Sequence, residues 1–332
     1  ATLGALWPVS PPSPRVCSRQ GAICGQAMAG MYMSPPERIM RDTIEWLLAL
    51  PEEERLRMEQ AEAVYFTRKA PAPQRVLAPE AKEPGAVTLN MGSVEAALAL
   101  CRLGFRPAVL NFAHGYNCGG GFEHAGGSQE EDIFRKSSLF LSLWPHRRAD
   151  DGPGVLARGM WIGEFDKVLP RKEPFYGHTE CGGIYSPHVR AVRDVRRPDR
   201  QLLPAEEVSS LPVFAVLTVA AQDVRRDGCF EEDLLVQKAR TALHLATVNG
   251  HDAVVLGAFG CGYFSNPPDV VATVFDSLLQ GEFAGTFPAK VFGVPDRSGA
   301  NLDAFGSRFP LTTEDELAVI LKGVPRCSCS AS

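Results

Sequence analysis

Residues 107–131 read PAVLNFAHGYNCGGGFEHAGGSQEE. Pro107 to Phe112 is apolar enough to be a strand buried on both faces. Three consecutive glycines follow, Gly119, Gly120 and Gly121, and Gln129-Glu130-Glu131 then opens a helix. Lacking Cβ atoms, such a loop lets successive main-chain N–H groups close on an anion, which side chains would prevent. A carboxylate at the adjoining helix mouth is a candidate proton donor. Strand, bare loop and helix in that order also form the building unit of a parallel α/β sheet, whose ligands gather at the carboxyl ends of strands.

A second junction of the same kind lies downstream. Ala253 to Leu256 is a short apolar strand, and Gly257, Gly260 and Gly262 punctuate the turn that follows it. Phe264 and Asn266 come next, with Asn266 expected as N-cap of a helix opened by Pro267 and Pro268. A spaced-glycine turn is weak evidence alone, because tight turns often produce one. Two of them after two buried strands point to a clasp around a diphosphate.

Other segments fill in the architecture. Ala86 to Leu89, Val213 to Ala220 and Ala289 to Val294 read as strands, with shorter ones near Met160–Ile162 and Gly183–Tyr185. Helices are expected from Val94 to Leu103, with Ser93 as N-cap, and along Leu235, Ala239, Ala242 and Ala246, where Gly250 ends the run. Met40, Ile44, Leu47 and Leu48 fall at helical spacing, and a second helix begins at Pro51 with Glu52, Glu53 and Glu54 in its first turn. The reading is one α/β domain over residues 37–322, N-terminal helices included, with tails at 1–36 and 323–332. Its core is a three-layer arrangement of helices flanking a mixed, mostly parallel central sheet.

The totals narrow the function classes. The chain has 332 residues and a net charge of −5, so broad electrostatic binding of nucleic acid is disfavoured. Arg190, Arg193, Arg196, Arg197 and Arg200 crowd one segment, which reads as a solvated loop with paired charges. Nine cysteines are scattered without a C-x-x-C pair, which favours a reducing compartment, cytoplasmic or nuclear, over a disulfide framework or a zinc site. No apolar run approaches the roughly 18–20 residues needed to span a bilayer. Residues 1–36 hold no acid and two arginines, and read as a tail or as the remnant of an organelle-targeting segment. His114 and His124 flank the glycine loop without further ligands at metal-binding spacing and are taken as rim residues. No cofactor and no metal are expected, nor any membrane partner, and the chain is expected to be a monomer.

Asn111-Phe112-Ala113, the glycine triplet with Phe122, and Gln129-Glu130-Glu131 together resemble the signature of the bacterial-type poly(ADP-ribose) glycohydrolases, a branch of the macrodomain fold. Seven residues separate the triplet from Gln129. The resemblance continues at Tyr185-Ser186-Pro187 with Val189, Arg193 and Asp194, resumes at Leu256-Gly257-Ala258 with Gly260-Cys261-Gly262 and Phe264, and covers roughly residues 85–305. It implies a macrodomain-like fold and a hydrolase that releases ADP-ribose from its polymer. It also implies catalytic roles for Glu131, as the acid that protonates the leaving 2′-oxygen and later activates water, and for Glu130, which would hydrogen-bond ribose hydroxyls. Gln129 would fix the loop, and Asn111 and Asn117 would bind or orient the distal ribose. Gly119, Gly120 and Gly121 would contact the diphosphate, clasped from the other side by Gly260, Cys261 and Gly262, with Phe264 close to the nucleotide. ADP-ribose polymer or ADP-ribosylated macromolecules are then the expected partners. Where relatives carry an Asp after the first strand to read adenine, this chain has Asn90-Met91-Gly92-Ser93.

Two other functions share these features. A non-catalytic ADP-ribose reader would keep both glycine loops and need no acid. A hydrolase of a mono-ADP-ribosyl linkage would use the same acid and the same cradle. Ser128-Gln129-Glu130-Glu131 also fits a helix capping box, and a Glu folded back on its own helix is expected to be unable to reach a ligand.

Overall fold

A computed structural model describes residues 35–65, 84–115, 118–122, 127–144, 154–157, 160–163, 182–195, 201–295, 299–324 and 326. In chain order the elements are α1 (Pro35–Leu48), α2 (Glu52–Met58), β1 (Glu62–Tyr65), β2 (Val87–Leu89), α3 (Ser93–Arg102), β3 (Pro107–Ala113), α4 (Gln129–Lys136) and α5 (Leu139–Leu143). They continue through β4 (Gly154–Ala157), β5 (Met160–Gly163), β6 (Gly182–Val189), α6 (Ala205–Ser210), β7 (Phe214–Ala220), α7 (Val224–Asp227), α8 (Glu232–Val248) and β8 (Ala253–Leu256). The last are α9 (Pro268–Gln280), β9 (Ala289–Gly293), α10 (Ala300–Arg308), β10 (Leu311–Thr312) and α11 (Glu314–Ile320).

Among the described residues eight strands form one sheet in the order β1-β6-β7-β3-β8-β9-β2-β10, while β4 and β5 pair apart from it. The six strands from β7 to β10 are mutually parallel, and β6 and β1 extend the sheet antiparallel at one side. Strand β3 lies at the centre, paired with β7 over 108–113 and with β8 only over 107–109. Beyond Val109 its β8 side is open, which leaves room for a side chain to take up the ladder there.

The period-2 alternation of the buried strands separates two cores. In β3, Val109 and Ala113 join one apolar cluster and Ala108 and Leu110 the other; β8 divides in the same way into Ala253 and Val255 against Val254 and Leu256. The first core takes in α1, α3, α4 and α5, through residues such as Met40, Val94, Phe134 and Leu139. The second takes in α8, α9 and α10, through Leu235, Phe275 and Phe305. The arrangement is the expected three-layer α/β sandwich, with both faces of the sheet covered.

Several local expectations shift. Leu48 does not join Met40, Ile44 and Leu47 in the core; it is 38% exposed, at the last residue of α1. Gly92, not Ser93, is the N-cap of α3. Asn266 does not cap α9, whose N-cap is Pro267; its buried amide reaches Gln222 O at 2.8 Å and Gly260 O at 3.1 Å instead. Of the arginine-rich segment, Arg193 is not solvated. It is buried and donates to Thr43 Oγ1 at 2.9 Å, Arg135 O at 3.1 Å and Ile39 O at 2.6 Å, which fastens α1 to the last turn of α4. Arg196, Arg197 and Arg200 lie outside the described residues. Among the described residues no helix is long and apolar enough to cross a membrane.

Candidate active site

Helix α4 begins where β3 ends, and its first three residues each hold the glycine loop or the strand in a different way. Gln129 completes the open side of β3. Its Oε1 accepts the N–H of Phe112 at 2.9 Å, and its Nε2 donates to Leu110 O at 2.7 Å and to Ser93 Oγ at 3.0 Å. A primary amide offers a donor and an acceptor side by side, as a neighbouring strand does, so it continues the ladder where β8 diverges.

Glu130 is buried. Its Oε2 accepts the N–H of His114 at 2.8 Å, and its Oε1 accepts from Gly119 N at 3.2 Å and Asn111 Nδ2 at 3.4 Å. The carboxylate therefore joins the end of β3 to the start of the glycine loop. Asn111 is fully buried, faces Thr218 Oγ1 across the β3–β7 ladder at 3.3 Å and ends on Glu130 without reaching the cavity wall.

Glu131 is held at both oxygens. Oε2 accepts the N–H of Ser128 at 2.7 Å, the capping box, and Oε1 accepts the N–H of Gly121 at 2.8 Å. The capping contact does not withdraw the side chain from ligand: Glu131 forms part of the wall of a cavity of about 680 Å³. The expected conflict between capping and access is absent, because the glycine loop folds over the helix mouth and brings the cavity to the cap.

The loop needs its glycines for two reasons. Gly119 and Gly120 have φ of +76° and +63°, the left-handed region that disfavours side chains. A Cβ on Gly120 or Gly121 would also stand 3.1 Å from Glu131 Oε1. Beneath the loop Phe122 stacks on Phe134 of α4 at 5.5 Å, and so the loop and the helix share one apolar footing.

The opposite wall comes from the β8–α9 turn, with Gly260, Gly262, Tyr263 and Phe264 lining the cavity. Gly260 has φ of +74°, and a Cβ there would meet the amide of Asn266 at 2.5 Å. Cys261 is not part of the wall, and burial pushes its thiol up to about 12, which leaves it protonated at neutral pH and a poor nucleophile. Gly119 also stands back from the cavity, whereas Gly120 and Gly121 line it. Asn117 and His124 lie outside the described residues.

Three contributors add to the expected binding and catalytic residues, the first of them the rim residue His114. His114 lines the cavity with its ring 5.6 Å from that of Phe264, and burial holds its imidazole below the ordinary range against the opposing pull of the Asp223 and Glu131 carboxylates. Gly92 and Ser93 at the start of α3 also line it, while Asn90 on the same turn is exposed and does not. A third strand-to-helix junction supplies Gly293, Val294, Asn301 and Leu302. The signal for it was present, since Ala289–Val294 reads as a strand and parallel neighbours present their carboxyl ends together. Among the described residues no group of three or more His, Cys, Asp or Glu is placed to hold a metal.

The architecture and the cavity define a macrodomain-type ligand site. A model of the microbial-type poly(ADP-ribose) glycohydrolase catalytic domain matches residues 48–194. The poly(ADP-ribose) glycohydrolase structure from Thermomonospora curvata superimposes with a TM-score of 0.62 at 27% identity, over 82% of this chain and 99% of that one. The enzyme from Deinococcus radiodurans in complex with ADP-ribose gives 0.50 at 30% identity, over 68% and 83%. The Thermomonospora enzyme bound to the inhibitor ADP-HPD gives 0.59 at 25% identity, over 82% and 99%. No curated protein matches the chain. The chain belongs to the microbial-type poly(ADP-ribose) glycohydrolase family.

Proposed function

We propose that this chain hydrolyses ribose–ribose O-glycosidic bonds of poly(ADP-ribose) and releases ADP-ribose, with Glu131 as general acid and base. The observation that carries this reading is the Glu131 carboxylate, fixed in the cavity wall by the N–H of Gly121 from the glycine loop. Solved relatives hold ADP-ribose and the inhibitor ADP-HPD, which supports an ADP-ribose unit as the ligand.

In this reading the diphosphate lies between Gly120 and Gly121 on one side and Gly260 and Gly262 on the other. The protonated Glu131 gives its proton to the leaving 2′-oxygen as the glycosidic carbon–oxygen bond breaks, and the bonding pair goes to that oxygen. The ribosyl carbon gains oxocarbenium character, which the nearby diphosphate stabilises. Water then attacks that carbon and returns a proton to Glu131, which restores the acid. A single acting carboxylate with substrate assistance stands among the known exceptions to paired-carboxylate glycosidases. Gln129 and Glu130 position the strand end and the loop, and Asn111 acts through Glu130.

A non-catalytic reader has no use for a carboxylate in the wall, so the placement of Glu131 favours hydrolysis. Purified protein incubated in parallel with labelled polymer and with mono-ADP-ribosylated substrates tests the assignment. ADP-ribose should be released from the polymer by the native chain and not by Glu131→Gln, which should still bind ADP-ribose. Binding without release by the native chain would leave a reader, and release from mono-modified substrates alone would move the bond cleaved.

A further inference from the structure

One lip of the cavity is a continuous row of rings that ends in solvent. His114, whose electrostatic neighbours include Glu131, packs against Phe264 at 5.6 Å, and Phe264 packs against Tyr263 at 6.0 Å. The Arg225 guanidinium lies over the Tyr263 ring, 3.4 Å from its centroid, and is steadied there by Asp223 through contacts of 3.2 and 3.3 Å. Tyr263 nevertheless remains 68% exposed while lining the cavity mouth. With the guanidinium over one face and Phe264 beside the ring, that exposure leaves its remaining surface open to solvent. A large aromatic held rigidly at a cavity mouth by a stacked, ion-paired arginine is preorganised to receive another flat group.

We infer that Tyr263, with Arg225 stacked on it, forms an outer subsite for the nucleotide unit next to the one in the cavity. This rests on the glycohydrolase reading above. The bond to be cleaved must lie at Glu131, so the unit on its far side leaves the cavity beside that residue. The row from His114 to Tyr263 runs along the wall of the cavity that Glu131 also lines and ends at an exposed ring. The departing unit carries a purine, which stacks on the open tyrosine, and a diphosphate, which the guanidinium edge attracts. The subsite therefore recognises an oligomer of ADP-ribose, whereas a single ADP-ribose unit fills only the cavity.

The test compares the affinities of a defined ADP-ribose oligomer and of ADP-ribose itself, by titration calorimetry in a Glu131→Gln background that blocks turnover. Base–aromatic stacking of this kind sets the expected loss at about tenfold in oligomer affinity for Tyr263→Ala. The affinity for ADP-ribose should change less than about twofold, and Tyr263→Phe should retain the oligomer preference. Because Tyr263 is exposed, truncating it leaves the core intact. Equal losses for both ligands would make Tyr263 a contact of the inner ADP-ribose unit and overturn the outer subsite. So would an unchanged oligomer affinity, or a parent protein that does not prefer the oligomer. Failure of the glycohydrolase reading shows separately, as no ADP-ribose release from polymer by the unsubstituted chain.

Discussion

The N–H of Gly121 donates to Glu131 Oε1 at 2.8 Å, so the glycine loop and the Glu131 carboxylate are one hydrogen-bonded unit. The other oxygen takes the N–H of Ser128, and the side chain has no rotational freedom left to lose when ligand arrives. Preorganisation of that kind lowers the cost of reaching a productive geometry.

Replacing Glu131 by Gln should separate chemistry from structure. An amide presents one acceptor oxygen where the carboxylate presents two, so one of the two N–H groups loses its partner, at a cost of about 1–3 kcal/mol. Loss of the general acid should lower kcat by on the order of 10²–10⁴. Thermal melting and steady-state kinetics on the same preparation check both, and a kcat near that of the native chain would remove Glu131 from the mechanism.

Gly120 and Gly262 offer a matched pair. Alanine at position 120 meets a left-handed backbone and a Cβ contact of 3.1 Å to Glu131 Oε1, whereas alanine at 262 finds nothing within 4 Å. Gly120→Ala should lose about 1–2 kcal/mol through the backbone alone. It should also displace the acid and lower kcat by about tenfold or more. Gly262→Ala should stay within about 0.5 kcal/mol of the parent. Chemical denaturation of both variants would decide this, and equal stability of the two would contradict the loop geometry.

Gln129→Ala removes the side chain that completes β3. The N–H of Phe112 and the C=O of Leu110 would both lose their partner, and unmet groups of this kind cost about 1–3 kcal/mol each. The urea midpoint should fall with an unchanged m value, because the surface exposed on unfolding stays the same. A midpoint equal to the parent's would mean that water or another side chain replaces the amide.

His251 should make stability depend on pH. Its Nδ1 faces Arg106 O at 2.9 Å and so carries the proton, which leaves Nε2 to accept from Tyr185 O–H at 2.9 Å. Burial holds this imidazole below its ordinary value of 6.5, as it does His114. The unfolded chain then binds protons more readily than the folded one. The stability due to neutral burial is complete above pH 6.5 and is lost as pH falls through the folded values. Denaturation midpoints measured from pH 7.5 downward should decline below 6.5, and His251→Gln should flatten the decline. A profile unchanged by that substitution would rule His251 out as its source.

Much of the fold was legible in the chain. The runs at 107–113, 214–220 and 253–256 are apolar on both faces apart from Asn111 and Thr218, a pattern that burial between two helical layers satisfies. The helix at 232–248 announced itself by Leu235, Ala239, Ala242 and Ala246, all buried as spaced. Within the site, Gly120, Gly121 and Glu131 were legible as cavity residues, since bare backbone beside a carboxylate at a helix mouth suits an anion and a proton donor.

Assignment of each side chain to its task came only with the tertiary structure. Gln129, Glu130 and Glu131 are consecutive, alike in polarity and all in the cavity wall, yet one completes a strand, one joins strand to loop and one ties the glycine loop to the helix cap. Helical rotation of about 100° per residue sends each toward a different neighbour, and those neighbours are set by where β8 leaves β3 and how the glycine loop folds back. Asn266 and Arg193 illustrate the same limit, because their partners Gln222 and Thr43 are distant in the chain. Local sequence determined which segments fold and which loops can approach an anion. Long-range packing decided which polar groups meet, since hydrogen bonding depends on angstrom-scale distances that no spacing along the chain specifies.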